Sequence, residues 1–128
     1  MDKRTKGKLG EDAVCSELIK RGHTVIARNY HKPFGEIDII SQTGGFIVFT
    51  EVKARKQNSI VSGLEAVDAR KQRKIVLTAD AFLSEYNCLL QPRYDIAEVT
   101  ITRGEAARVV RIDIYEDAFT ADGIYTAN

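Results

Sequence analysis

The feature that most constrains the fold is a pair of β-forming runs joined by a glycine-rich turn. In the first run, 36–40, polar and apolar residues alternate, and the second, 46–55, is rich in β-branched and aromatic residues. The segment Thr43-Gly44-Gly45 between them leaves room only for a tight connection. The two runs are therefore predicted to be antiparallel neighbours in a sheet.

Helical patterns and further β patterns surround this hairpin. Apolar residues recur at helical spacing over 5–21, and Gly22 stands where a left-handed C-terminal cap is wanted. After a loop at 58–63, a less regular pattern over 64–86 predicts a long second helix. Further β-forming runs lie at 23–30, 94–101 and 109–115. Because the long helix permits a right-handed parallel crossover, the predicted fold is a mixed sheet of about five strands in the order α-β-β-β-α-β-β.

Composition limits the size, location and partners of the protein. A chain of 128 residues with 44% apolar content suits one domain spanning 1–128. The formal net charge is only +1, so a polyanion must be held by a local basic patch. Cys15 and Cys88 lack metal-ligand spacing and are interpreted as small buried hydrophobes with reduced thiols. With no apolar run long enough for a secretory signal or a membrane span, we expect a soluble, cytoplasmic protein without a membrane partner.

Three charged residues of the hairpin form the candidate chemical centre. Alternation along a strand puts Glu51 and Lys53 on one face, with Val52 on the other, and Asp38 in the neighbouring strand could converge with them. Two carboxylates on rigid strands suit hydrated Mg²⁺ or Mn²⁺. A nearby lysine could orient an attacking water or stabilise charge on a phosphodiester. The spacing thus permits a metal-dependent hydrolytic site.

A simpler interpretation of the same residues is a surface ion pair. Glu51 and Lys53 could pair on the solvated face of a half-buried antiparallel strand, which is a common arrangement. Asp38 argues for a site, because an aspartate between Ile37 and Ile39 is a poor β former in an apolar neighbourhood and needs a partner or an ion. Spacing alone leaves both interpretations open.

A resemblance to known families rests on several short strings. Gly35-Glu36-Ile37-Asp38, followed after twelve residues by Glu51-Val52-Lys53, resembles the PD-(D/E)XK nuclease superfamily. More closely, the chain from about Gly7 to Val99 resembles the YraN-like family of small bacterial proteins. The strings that carry this second resemblance are Gly10-Glu11, Ala27-Arg28-Asn29-Tyr30, GEIDII, VFTEVKAR, Ala66-Val67, Lys71-Gln72 and Arg93-Tyr94-Asp95.

The resemblance implies a restriction-endonuclease-like α/β fold, similar to that of archaeal Holliday-junction resolvases. It also implies metal ligation by Asp38, Glu51 and the carbonyl of Val52, with Lys53 as the catalytic lysine. Glu11 would be a further catalytic acid delivered from the first helix. An acid in the first turns of a helix is, however, also favoured by the helix macrodipole without any function.

The chain departs from the family pattern at two strand positions. Thr50 stands where relatives usually carry an apolar residue, and Tyr94 replaces a phenylalanine. Neither departure removes a charge, so the set of carboxylates and lysine is intact.

Basic residues outside the hairpin are candidates for nucleic-acid contact. Four lie on the predicted second helix, namely Arg70, Lys71, Arg73 and Lys74. Arg28 lies in a polar group at the end of the first strand, where the uncharged Tyr30 is a further candidate. Further cations cluster at the start of the chain. Such residues could bind phosphates without reading sequence, and the alternative is an ordinary solvated charged face. Gln72 is interpreted as a surface residue.

These observations lead to two functional hypotheses. The first is an endonuclease that uses Mg²⁺ or Mn²⁺ to hydrolyse DNA and is structure-selective. The second is a non-catalytic module on a nuclease fold that binds nucleic acid or another partner. DNA is favoured over RNA, and a homodimer is considered, only by analogy with relatives.

Overall fold

The computed structural model describes residues 3–60 and 66–122, which form two helices and five strands. In chain order these are α1 (Lys3–Lys20), β1 (Thr24–Lys32), β2 (Gly35–Thr43), β3 (Phe46–Lys56), α2 (Ala69–Glu85), β4 (Gln91–Ile101) and β5 (Val109–Phe119). The predicted order of elements is confirmed, and so is the left-handed conformation at Gly22, whose φ is 92°.

The strands form one mixed sheet in the order β1-β2-β3-β4-β5. The predicted hairpin is confirmed, because β2 and β3 pair antiparallel across the two-residue loop Gly44-Gly45. Gly44 has a positive φ of 55°, a conformation that glycine adopts without steric cost. The predicted parallel crossover is also confirmed, since β3 and β4 pair in parallel over their whole length.

Each helix covers one face of the sheet, so the protein has two apolar cores. The core on the α2 face contains Ile37, Ile40, Ile47, Phe49, Val67, Ile75, Val76, Ala79, Phe82, Tyr94, Ile96 and Phe119. The core on the α1 face contains Val14, Cys15, Leu18, Ile39, Ala97, Val99, Ile101 and Ala107. Helix α1 lies close to the sheet at Gly10, where an added Cβ would touch Val52 and Val99 at 3.8 Å. The sheet between the two cores therefore has helices on both faces.

The predicted boundaries that differ most from the structure are the start of the second helix and the end of the last strand. The second helix begins at Ala69 instead of 64, because the side chain of Asp68 accepts a hydrogen bond from the backbone N–H of Lys71 at 2.9 Å and caps the helix. Residues 64 and 65 lie outside the described residues, as does the second half of the predicted loop at 58–63, residues 61–63. The last strand continues to Phe119, well beyond 115, and pairs there with Tyr94.

The prediction that both cysteines are free and buried is confirmed only in part. Both cysteines are free, and Cys15 is buried as expected, whereas Cys88 is only half-buried.

Neither helix in the described part of the chain has the length and apolar character needed to cross a membrane.

Candidate metal centre and basic clefts

The predicted acid pair lies where strands β2 and β3 separate. Their backbone pairing runs from Thr43 opposite Phe46 to Ile39 opposite Thr50. Beyond this last backbone pair, the backbone N–H of Val52 donates to Oδ2 of Asp38 at 2.8 Å. A side-chain hydrogen bond thus replaces the ladder and holds the Asp38 carboxyl beside the Glu51 strand.

The two carboxyl groups are close together and nearly shielded from water. Asp38 is 8% exposed and Glu51 is 4% exposed. Burial, followed by the charge of Glu51 and a hydrogen bond to it, raises the pKa of Asp38 to about 8. A carboxyl with this pKa holds its proton near neutral pH and can donate it in a hydrogen bond to Glu51. The pair is therefore electrostatically strained when both groups are charged.

Two lysines approach the same oxygen of Glu51 from the solvent side. Lys53 Nζ lies 3.5 Å from Glu51 Oε2, and Lys71 Nζ lies 3.2 Å from it. The predicted alternation is confirmed, because Glu51 and Lys53 share a face while Val52 packs against the α1 core. The side chains of the two lysines are 29% and 33% exposed, so both can reach solvent or a ligand.

Lys71 was predicted only as a nucleic-acid contact, and its place at the acid pair was missed. It stands in the first turn of α2, which follows β3 through a crossover and returns over the sheet. No sequence spacing links Lys71 to Glu51, because the contact depends on how α2 crosses the sheet. Gln72, beside it, is half-buried and donates to the carbonyl of Val67 at 3.1 Å.

Glu11 lies near the pair but outside it. Because α1 begins at Lys3, Glu11 is in the middle of the helix, and the explanation by the helix macrodipole is wrong. Burial raises the pKa of Glu11 in spite of Arg28, 3.8 Å away, and a hydrogen bond to Asn29. Among the described residues, no group of three or more His, Cys, Asp or Glu side chains is placed to hold a metal ion. The structure thus brings together two acids, not three.

The two residues predicted at the end of the first strand lie on different sides of it. Arg28 pairs with Asp12 at 2.7 Å and stays next to Glu11. Tyr30 donates its hydroxyl to Glu85 at 3.1 Å, at the C-terminal end of α2. Glu85 is fourteen residues from Lys71, or about 21 Å along the helix. Arg28 is therefore close to the candidate centre, whereas Tyr30 contacts the far end of α2.

Two clefts, each with several cationic lining residues, adjoin the acid pair. The α2 cleft, about 660 Å³, has as its charged and titratable lining residues His31, Lys32, Glu36, Arg70, Lys71, Arg73 and Lys74. The β3 cleft, about 580 Å³, is lined by Lys6, Gly7, Val52, Lys53, Ala54, Arg55, Lys56, Ile101 and Thr102. The structure therefore collects all four predicted cations of the second helix at one cleft.

Fold and site together define a class, namely an α/β protein with a buried carboxylate pair between basic clefts. The chain belongs to the family described as Uncharacterised protein family UPF0102, whose model matches residues 10–99. The predicted YraN-like relationship is thereby confirmed.

Relatives in distant bacteria match most of the chain. A UPF0102 protein of Pseudomonas paraeruginosa is 32% identical over 120 residues, which cover 92% of this chain and 94% of the relative. One of Dictyoglomus thermophilum is 38% identical over 104 residues, covering 80% and 88%. One of Sulfurihydrogenibium is 45% identical over 87 residues, covering 68% and 76%.

Proposed function

We propose that this protein is a nuclease that uses Mg²⁺ or Mn²⁺ to hydrolyse phosphodiester bonds in DNA, and that it selects substrates by structure and not by sequence. The observation that supports this most is the buried pair Asp38 and Glu51, with two lysines on one oxygen of the pair. Such a pair is unfavourable without a ligand whenever both groups are charged, because two buried like charges repel each other. A bound cation would offset the free-energy cost of burying the two carboxylates together.

The donor set fits a hard divalent cation. Asp38 and Glu51 offer carboxylate oxygens, and Val52, which directly follows Glu51 and donates its N–H to Asp38, offers its carbonyl. A site with few protein ligands suits Mg²⁺, which keeps several of its waters and binds phosphate oxygens directly. When bound, the ion would act as a Lewis acid on the phosphate and on a water molecule.

The side chains around the pair would divide the remaining work. Val52 fixes Asp38 through its backbone N–H, so this carboxylate stays in place while substrate binds. Lys53 and Lys71 are partly exposed and can turn from Glu51 to the non-bridging oxygens of a phosphate, where charge develops during attack. In the reaction, water attacks phosphorus, the bond from phosphorus to the leaving oxygen breaks, and that oxygen takes up a proton.

Cleavage assays test this proposal. Labelled branched, single-stranded and duplex DNA, with matched RNA, are incubated with Mg²⁺, Mn²⁺ or EDTA. We expect cleavage only with metal, and a loss of about 100-fold or more in Asp38→Asn because the site loses a charged ligand. The matched control is Asp80→Asn, the same change at an exposed position of α2. Equal cleavage by the wild type and Asp38→Asn would refute the proposal.

A second candidate function is binding without turnover. It is favoured by one observation, that Glu51 is already neutralised by two lysines at 3.5 and 3.2 Å, as in a structural ion-pair cluster. In that case the protein binds nucleic acid with full affinity in EDTA, shows no metal-dependent cleavage, and keeps its affinity in Lys53→Ala. Affinity then falls when the four α2 cations are removed. The same preparations used for cleavage decide between the two functions.

A further inference from the structure

The β3 cleft is a concentrated positive surface that sequence analysis did not single out. Its lining includes Lys6 from α1 and Lys53, Arg55 and Lys56 from the end of β3, and no Asp or Glu among the described residues lines it. Helix α1 brings Lys6 there by packing on β3 and β4, with Gly10 facing Val52 and Val99. A concave site lined by several cations attracts polyanions.

Arg55 has contacts that hold it in this cleft. One guanidinium nitrogen lies 3.6 Å from Oε1 of the buried Glu98, and another donates to the carbonyl of Ser59. Its Nε is buried and has no hydrogen-bond partner among the residues that the structure describes. The Glu98 carboxylate offsets the charge of Arg55, so the three lysines of the cleft remain to bind anions. An anchored arginine among lysines is an arrangement suited to phosphate.

The acid pair stands between the two clefts. Lys71 belongs to the α2 cleft and Lys53 to the β3 cleft, and both approach the same oxygen of Glu51. A chain of phosphates that runs from Lys71 to Lys53 therefore passes Glu51.

The β3 cleft reaches both faces of the sheet. Lys53 shares the face of Glu51 and Phe49, on which α2 packs, whereas α1, with Lys6, packs on the face that carries Val52 and Val99. A backbone that runs from the α2 cleft to Lys6 must bend around the end of β3. Duplex DNA resists such a bend, since it is stiff over about 150 base pairs, whereas a single strand bends freely.

We propose that a single-stranded segment of nucleic acid runs from the α2 cleft across the acid pair into the β3 cleft. This deepens the proposed function by naming the substrate as a single strand, or the unpaired arm of a branched molecule. The single-strand path rests on the proposed nuclease function only where it places a phosphate over Asp38 and Glu51. The path itself is a binding property that can be measured without turnover.

Fluorescence anisotropy in EDTA tests the path. The probes are labelled oligo-dT and oligo-U of about 20 nucleotides and a duplex of the same length. We expect the wild type to bind the better of the two single strands about tenfold more tightly than the duplex. The double variant Lys6→Gln/Lys56→Gln should lose about tenfold in affinity, and its salt slope should fall by about 1.4, or 0.7 for each lost phosphate contact.

A matched double variant controls for charge. Lys20→Gln/Arg111→Gln removes the same charge at exposed positions of α1 and β5 and should bind like the wild type. The path is wrong if Lys6→Gln/Lys56→Gln binds a single strand as this control does, or if duplex binds as tightly as the single strands. Circular dichroism checks that each variant folds, and Lys56→Glu repeats the test with one exposed residue.

The outcomes separate the path from the proposed function. Loss of binding in the β3 cleft variant, with no metal-dependent cleavage by the wild type, supports the path and refutes the nuclease. Metal-dependent cleavage with unchanged binding in that variant refutes the path alone.

Discussion

Replacement of Asp38 by asparagine should stabilise the protein in the absence of metal. Burial and the neighbouring Glu51 raise the pKa of Asp38 from 3.8 to about 8, so the folded protein favours a neutral group at this position. Asparagine supplies one permanently. Its amide oxygen can accept from the Val52 N–H, as Asp38 does, and its NH₂ can donate to Glu51.

The magnitude follows from linkage. Above pH 3.8 the unfolded chain releases the proton while the folded protein keeps it, so wild-type stability falls as the pH rises towards 8. About three pH units lie between 3.8 and neutrality, each worth about 1.4 kcal/mol, which gives an upper bound of about 4 kcal/mol. The Asp38→Asn variant does not lose stability in this way, because the asparagine side chain does not titrate. We expect a gain of about 1 to 4 kcal/mol at pH 7.

Urea denaturation in EDTA from about pH 4 to pH 9 measures this gain. The advantage of Asp38→Asn should be absent near pH 4, grow up to about pH 8 and then level off. Asp80→Asn, an exposed aspartate on α2, should show no such pH-dependent gain. The reasoning is refuted if Asp38→Asn is no more stable than the wild type at pH 8.

Three further predictions concern the packing and the α2 cap, and each is tested by urea denaturation at one pH. Thr50→Val should gain about 1 kcal/mol, because the buried Thr50 hydroxyl has no hydrogen-bond partner among the described residues; a loss would contradict this. Gly35→Ala should lose about 2 kcal/mol, since its Cβ would lie 2.6 Å from Thr78 Oγ1, whereas Gly45→Ala meets nothing within 4 Å and should lose less. Asp68→Ala should lose about 1 kcal/mol with the α2 cap, and an unchanged midpoint would reject that role.

The order of elements could be predicted because each signal is local. The Gly44-Gly45 loop fixes a hairpin, and alternation along β3 separates Glu51 and Lys53 from Val52. The crossover to β4 follows from the length of chain between strands, and its parallel register is a consequence of that connection.

The parts that could not be predicted depend on contacts between distant segments. The meeting of Lys71 with Glu51 requires the orientation of α2 over the sheet, and the β3 cleft requires α1 to bring Lys6 to the end of β3. The start of α2 was misplaced because apolar spacing continues before Asp68, while the cap that ends the preceding loop is a single side-chain hydrogen bond.

The most direct test of the proposed metal centre is a crystal structure after soaking in Mn²⁺, with anomalous scattering recorded near the manganese edge. We expect one anomalous peak in contact with both Asp38 and Glu51, and Lys53 and Lys71 turned away from Glu51 Oε2. Ordered carboxylates without an anomalous peak, with both lysines still on Glu51, would contradict the account and leave an ion-pair cluster in its place.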